Sequence, residues 1–411
     1  MTTLPRPLTR PLLIGLLTFL SLCLVGLLAA LTDSWSFLRV PQAFDSRFVD
    51  LQYLTATAEC FRNDPNWTLA SATCDPFGRL NNYPSPWLLL IAFVGVNYEW
   101  TFSLAITYIF LFGLSVGFIT FVSARDTERP WLVGSATCIT AFAPPTWLML
   151  ERGSTEVVIF GLVTLALFSF MTNRRSISAL LLALAATLKF FPAGASISLL
   201  QGWPKGRRAF VLFVAGSLFG LLLISGDLKL IAERTPQPDY AAFGASILPK
   251  LAGMPGARFI GIILFLVMAL AFIVVLTTNP FANLRRDFLT AARYTRGNKT
   301  TAALIMFGGG PLLAAYILGT NYDYRFIYAI PVVAGLTRIQ GSRSAMVMSL
   351  LFIASAMGTY AAPDLLEVSM DITLIVAMPI LGWLTLAAAG LSLGRVIARI
   401  RCGLLKVRHN A

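Results

Sequence analysis

The sequence predicts an all-α, polytopic membrane protein, a bundle of about 12 transmembrane helices whose long first extracytoplasmic loop carries interfacial helices. Three observations predict it. Of 411 residues 57% are hydrophobic and 12% charged, with mean hydropathy +0.75; a soluble domain carries about 25% charged residues. Apolar runs long enough to cross a bilayer recur along the whole chain. The charged residues fall between those runs, with acids and bases in alternate connections.

Taken in order, the first run is 11–31, preceded by Arg6 and Arg10. Its length suits an uncleaved span rather than a signal peptide. Further spans are predicted at 101–123, 131–150, 155–172, 177–189, 191–202, 209–226, 257–278, 302–319, 326–338, 345–362 and 372–394. The pair 177–189 and 191–202 is short, and Pro192 supplies a reason for a break near Lys189. The run Trp87–Val96 is too short to cross and reads as a partly inserted helix. No repeat, low-complexity tract or soluble appended domain is evident, so one membrane domain covers 1–411.

Basic connections fix orientation in a membrane. Arg6, Arg10, Arg125, Arg129, Arg174, Arg175, Lys205, Arg207, Arg208, the 285–299 loop, Arg338, Arg343 and the tail 395–411 then lie in the cytoplasm. The net charge of +13 needs no nucleic acid to explain it, because the bases are scattered in short loops. Of the 19 acids only Asp126, Glu128 and Asp287 share that side; the other 16 lie at or near the outer face. A carboxylate in hydrocarbon costs several kcal/mol, so the acids mark a polar outer face where chemistry is expected. Its largest loops are 32–86 and 227–256.

Several chemistries are excluded. The single histidine, His409, lies in the basic tail, which leaves the outer face without a histidine triad or histidine metal site. No GxxxxGK[ST] sequence is present for an ATP-driven pump. Cys23, Cys138 and Cys402 lie in spans or tail. Cys60 and Cys74 share the first outer loop, where an oxidising exterior allows a bridge without requiring one. Asn66-Trp67-Thr68 in the same loop is a glycosylation sequon of little weight.

The outer face carries the candidate site. Asp50 and Tyr53 are three residues apart, hence on one helix face. Phe48, Val49, Leu51 and Leu54 surround Asp50 with apolar side chains and predict its burial, which suits a carboxyl for general-base work. Lys189 stands alone in an apolar run and calls for an anionic partner. Arg325, in Asn321-Tyr322-Asp323-Tyr324-Arg325, can hold a phosphate bidentately, and Glu151-Arg152-Gly153 adds a second guanidinium. The plain alternative for these groups is a set of interfacial ion pairs and helix-end turns. A base for a hydroxyl, with cations for a phosphate, is the set that sugar transfer from a lipid phosphate needs.

These residues resemble something known. Val49-Asp50-Leu51-Gln52-Tyr53-Leu54 after the first span, then Asn82-Tyr83-Pro84-Ser85-Pro86, looks like integral-membrane glycosyltransferases of the GT-C superfamily, most like glycosyltransferase family 87, the polyprenyl-phosphate-mannose-dependent mannosyltransferases. Leu188-Lys189-Phe190-Phe191-Pro192 is similar to that family's Lys-x-x-Pro stretch. Two departures are Tyr-Pro-Ser-Pro in place of Tyr-Pro-Pro, and the absence of an outer-face histidine.

The resemblance implies a GT-C-type bundle in a bacterial plasma membrane. It implies inverting transfer of mannose or another hexose or pentose from a polyprenyl-phosphate donor to a hydroxyl of a lipid-linked or envelope glycan acceptor. Asp50 maps onto the family's catalytic aspartate, with Asp45 in reserve. Lys189, Arg152 and Arg325 are expected at the donor phosphate. Tyr53, Arg79, Asn82 and Tyr83 are expected to shape the sugar or acceptor pocket, with Glu151, Tyr322 and Asp323 beside them. No cofactor is expected, metal dependence stays open, and the partners are the two substrates and membrane lipids. The rival readings are a lipid or sugar transporter or flippase, a scaffold without chemistry, and a ligase or polymerase that moves a whole oligosaccharide from a pyrophosphate lipid.

Overall fold

A computed structural model describes residues 9–38, 46–63, 74–79, 83–201, 206–234, 242–318, 321–358, 363–398 and 400. Asp45, Asn82, the Asn66 sequon and most of the basic tail lie outside the described residues.

Helix α1 (Thr9–Thr32) takes up the first apolar run. Helix α2 (Val49–Asn63) then lies within the first large loop, and α3 (Ser85–Val94) takes up the short apolar run 87–96. Helix α3 opens on Pro84-Ser85-Pro86 and closes on Gly95 at φ 77°, a helix-starting proline and a helix-ending glycine. Helix α4 (Thr101–Ala124) follows. Pro144 and Pro145 divide the expected span 131–150 into α5 (Pro130–Ala141) and α6 (Pro144–Glu151), since proline lacks an amide donor and crowds the preceding turn. Helix α7 (Glu156–Met171) leaves α6 at 116°. Helix α8 (Arg175–Leu188) stops at Lys189, whose backbone is extended, and residues Phe191–Leu200 continue as a 3-10 helix containing Pro192.

The rest comprises α9 (Arg207–Leu223), α10 (Leu228–Arg234), α11 (Ile247–Leu251), α12 (Ala257–Thr277), α13 (Ala282–Gly297), α14 (Lys299–Leu318), α15 (Ala329–Thr337), α16 (Arg343–Gly358) and α17 (Pro363–Ala388). Strands β1 (Ala242–Phe243) and β2 (Asn321–Tyr322) pair antiparallel, Ala242 opposite Tyr322, and tie the second large loop to the end of α14. One continuous core of buried apolar side chains runs from Leu22 to Ile397.

Among the described residues four helices are long and apolar enough to cross a membrane, residues Thr9–Thr32, Tyr98–Ala124, Ala257–Thr277 and Lys299–Leu318, or five if α6 and α7 form one bent span. The remaining apolar segments are shorter, because proline and polar breaks divide them. Their outer surfaces stay apolar: Leu24 on α1, Leu222 on α9, and Phe259 and Leu270 on α12 are all at least 60% exposed. Contiguous apolar surface of this kind is that of a membrane protein.

The 285–299 segment, expected as a loop, is the amphipathic helix α13. Phe288, Ala291, Ala292 and Thr295 form its buried stripe at helical spacing. The arginines interleaved with that stripe mask its period in the sequence. Asp287 on α13 caps α16: its carboxylate accepts the backbone N–H of Arg343 at 2.9 Å and of Ser344 at 2.6 Å, and the Ser342 hydroxyl at 3.1 Å. Burial pushes this carboxyl up, and the bonds from Ser344, Arg343 and Ser342 outweigh it and hold it below its ordinary value. A lowered folded-state value stabilises above the unfolded Asp value of about 4. The stabilisation is lost as pH falls through the folded value. Asp287→Ala should cost about 1 kcal/mol at neutral pH in thermal unfolding of purified protein, and the deficit should shrink in acid. A deficit unchanged by pH would count against this cap.

At the same end of the bundle Arg338, 1% exposed, donates to the carbonyls of Ser123 and Arg125 and to Thr301 Oγ1, closing the C-terminal turn of α4. Lys299 donates to Asn173, and Arg175 to the carbonyl of Gln201. The opposite end gathers α2, α3, the α6–α7 bend, Lys189 and the turn before α15.

Candidate functional site

The site is built where two helix ends meet. The first amides of a helix and its last carbonyls lack intrahelical partners. Here they serve each other: Phe48 donates its amide to the Glu151 carbonyl at 2.6 Å, and Asp50 donates to the Arg152 carbonyl at 2.9 Å. The start of α2 is thereby fixed to the bend after α6. Phe48 takes φ 59°, an uncommon conformation for a bulky residue, with its ring between Trp35 and Phe102. Gly153 takes φ 62° at the bend, and a Cβ there would lie 2.8 Å from Leu51 Cβ. Gly153→Ala is therefore expected to cost about 2–4 kcal/mol, combining the left-handed penalty and overpacking. Thermal unfolding in detergent measures it, and a wild-type melting temperature would refute the contact.

Asp50 is buried, as its apolar neighbours predict, but it does not stand alone. Arg152 donates Nε to Oδ2 at 3.0 Å and Nη2 to Oδ1 at 2.8 Å, a bidentate pair. Arg79 approaches Oδ1 at 3.4 Å. Arg152, expected at the donor phosphate, is thus paired here with the Asp50 carboxylate. Arg79 is held in turn by Asp75, Nε to Oδ2 at 2.8 Å, and donates to the Val49 carbonyl at 2.7 Å. The bridge left open by the sequence is formed: Cys60 and Cys74 are joined, Cα atoms 6.0 Å apart, which ties residues 74–79 to α2.

An aromatic bridge leads from here to a second cluster. The Arg79 guanidinium lies 5.1 Å from the centre of the Tyr53 ring, and Tyr53 stacks on Tyr83 at 5.7 Å. Lys189 Nζ lies 5.8 Å from the Tyr83 ring centre. Burial, then the Asp50 carboxylate, pushes the Tyr83 hydroxyl well above its ordinary value, so it remains a donor at neutral pH. Lys189 donates to Glu156 Oε1 at 2.8 Å, and Arg325 donates Nε to the same oxygen at 3.3 Å. Arg325 also lies over Phe191 at 5.2 Å. Both cations keep partial exposure, 15% and 17% of their side chains, above a Glu156 side chain with none.

Asp50, Tyr53, Arg79, Tyr83, Arg152, Lys189 and Arg325, all candidates from the sequence, lie in one connected cluster, with Glu156 joining Lys189 to Arg325. Glu151 is buried beside them and contributes its main-chain carbonyl. For Tyr322 and Asp323 only the backbone is described, in β2 and in the 3-10 turn before α15. Three acids escaped selection as site residues. Glu156 opens α7 and joins the two cations; its position as the sole acid before an apolar run was the available signal. Asp75 holds Arg79. Asp227 accepts the Ser85 amide at 2.8 Å and the Ser85 hydroxyl, fixing the start of α3. Among the described residues no group of three or more His, Cys, Asp or Glu is placed to hold a metal ion.

The fold and site together define an all-helical membrane protein with a charged, aromatic-lined site at one end of its bundle. Comparison with protein families, curated proteins and solved structures yields no match for this chain.

Proposed function

We propose that this chain is an integral-membrane glycosyltransferase that moves a sugar from a polyprenyl phosphate to a hydroxyl on the extracytoplasmic face. The observation that carries this reading is the linkage of the Asp50 carboxylate to the Lys189–Arg325 pair through the stacked Tyr53 and Tyr83 rings. It sits on a GT-C-type bundle that crosses the membrane about 12 times, counting the short segments with the four long ones.

A carboxylate offers about four lone-pair sites. Among the described residues Arg152 takes two on Asp50 and Arg79 a long third, which leaves one for an acceptor hydroxyl. In the step proposed, the acceptor O–H gives its proton to Asp50 and its oxygen bonds to the anomeric carbon. The bond from that carbon to the phosphate oxygen breaks on the opposite face, inverting the centre. The electron pair leaves on the polyprenyl phosphate, where Lys189 and Arg325 stabilise it. Arg152 and Arg79 position Asp50, and Tyr53 and Tyr83 wall the space between base and cations. The lipid tail lies against the exposed apolar helix faces.

The deciding experiment incubates purified protein with labelled polyprenyl-phosphate sugars and an envelope-glycan acceptor. Release of polyprenyl phosphate with label on the acceptor is expected. Uptake of labelled lipid by vesicles without cleavage would establish the transporter instead.

A further inference from the structure

We propose that Glu156 sets the net charge of the Lys189–Arg325 site to plus one, so that it accepts a singly charged phosphodiester without favouring a doubly charged phosphomonoester. The inference rests on the reading of Lys189 and Arg325 as the phosphate-binding pair and adds the residue that tunes them.

Both cations share one oxygen, Glu156 Oε1. The other oxygen, Oε2, is fully buried and accepts no hydrogen bond among the described residues. The Tyr328 hydroxyl and Thr155 Oγ1 are likewise buried and without a hydrogen-bond partner among the described residues. Among the described residues no other donor reaches this carboxylate, so its charge acts on Lys189 and Arg325. Two cations and one carboxylate leave one positive charge. The adjoining carboxylates Asp50 and Asp75 are paired with Arg152 and Arg79, and Glu151 lies beside Arg152 and Asp50, so the count is taken over Lys189, Arg325 and Glu156, the three groups in direct contact.

The chemistry of the proposed reaction gives the charge its meaning. The donor is a phosphodiester with one negative charge. The product is a phosphomonoester whose second proton ionises near pH 6. A site of charge plus two would favour the product and hold it; a site of plus one matches the donor and lets the product leave. Glu156 is thus a specificity-determining residue that acts through the two cations.

The test uses the full-length protein in detergent at pH 8, with farnesyl phosphate as monoester and its methyl ester as diester. Affinities are measured for wild type and Glu156→Gln. The wild type should bind the two within about threefold of each other. Removing one charge at this distance should shift the ratio about tenfold toward the monoester in the variant. An unchanged ratio in the variant overturns the inference, as does a wild type that already prefers the monoester by tenfold. The wild-type ratio decides alone if the variant does not accumulate. Failure of the wild type to bind either ligand overturns the phosphate-site reading itself, a different result from binding with the wrong ratio.

Discussion

Asp50→Asn is expected to lower sugar transfer by about 10²–10⁴-fold, the usual contribution of a positioned general base. Asparagine keeps the shape and one acceptor oxygen but has no carboxylate to take a proton. The structure adds a second consequence. Arg152 loses half of a bidentate, largely buried pair and meets an amide N–H in its place. Breaking a buried pair costs about 3–5 kcal/mol in severe cases, so turnover must be expressed per folded molecule, with size-exclusion and thermal unfolding run alongside. Arg152→Lys separates the two effects. It retains the base and a positive charge but loses the fork geometry, and should lose less activity than Asp50→Asn at similar stability cost. Near-normal release of polyprenyl phosphate by folded Asp50→Asn would remove Asp50 from the chemistry.

Gly310→Ala is expected to destabilise by about 3 kcal/mol or more, at the upper end of overpacking costs. A Cβ on Gly310 would fall 2.5 Å from the Gly194 carbonyl carbon and 2.8 Å from the Ala195 nitrogen. Gly194 faces Gly310 in the same way, so backbone meets backbone and no side chain can swing aside. The two segments, α14 and the 3-10 helix Phe191–Leu200, must separate. The 3-10 helix begins two residues after Lys189, so separation also moves that cation away from Glu156. Thermal unfolding reads the first effect and phosphate-ligand affinity the second. Gly297→Ala, with open space around its Cβ, is the matched control. Equal melting temperatures for the two variants would show that the close approach is not required.

Much of the helical layout was legible because membrane spans carry long one-residue-type signals. The helix α1, α4, α12 and α14 ends fall within a few residues of the apolar runs. Breaks at Pro144 and Pro192 follow from chemistry visible in the sequence, although only the second was anticipated. The site was legible in its residue types and not in its pairings. Asp50 lies 102 positions from Arg152, and Arg325 lies 169 from Glu156. Pairs so distant follow from helix packing, which a single sequence does not encode in any local pattern. Glu156 shows the same limit, since the two cations that it joins lie 33 and 169 positions away.

Those separations also bear on biosynthesis. Asp50 emerges from the ribosome 275 residues ahead of Arg325, so at roughly 5–20 residues per second the first half of the site waits about 15–55 s for the last. Until Arg325 emerges, Glu156 has Lys189 as its one cation among the described residues, and a nascent chain halted before the turn at Asp323–Tyr328 holds an incomplete charge set. Insertion machinery or a chaperone that shields this end would act in that window, and quality control that senses unpaired charge would find its target there.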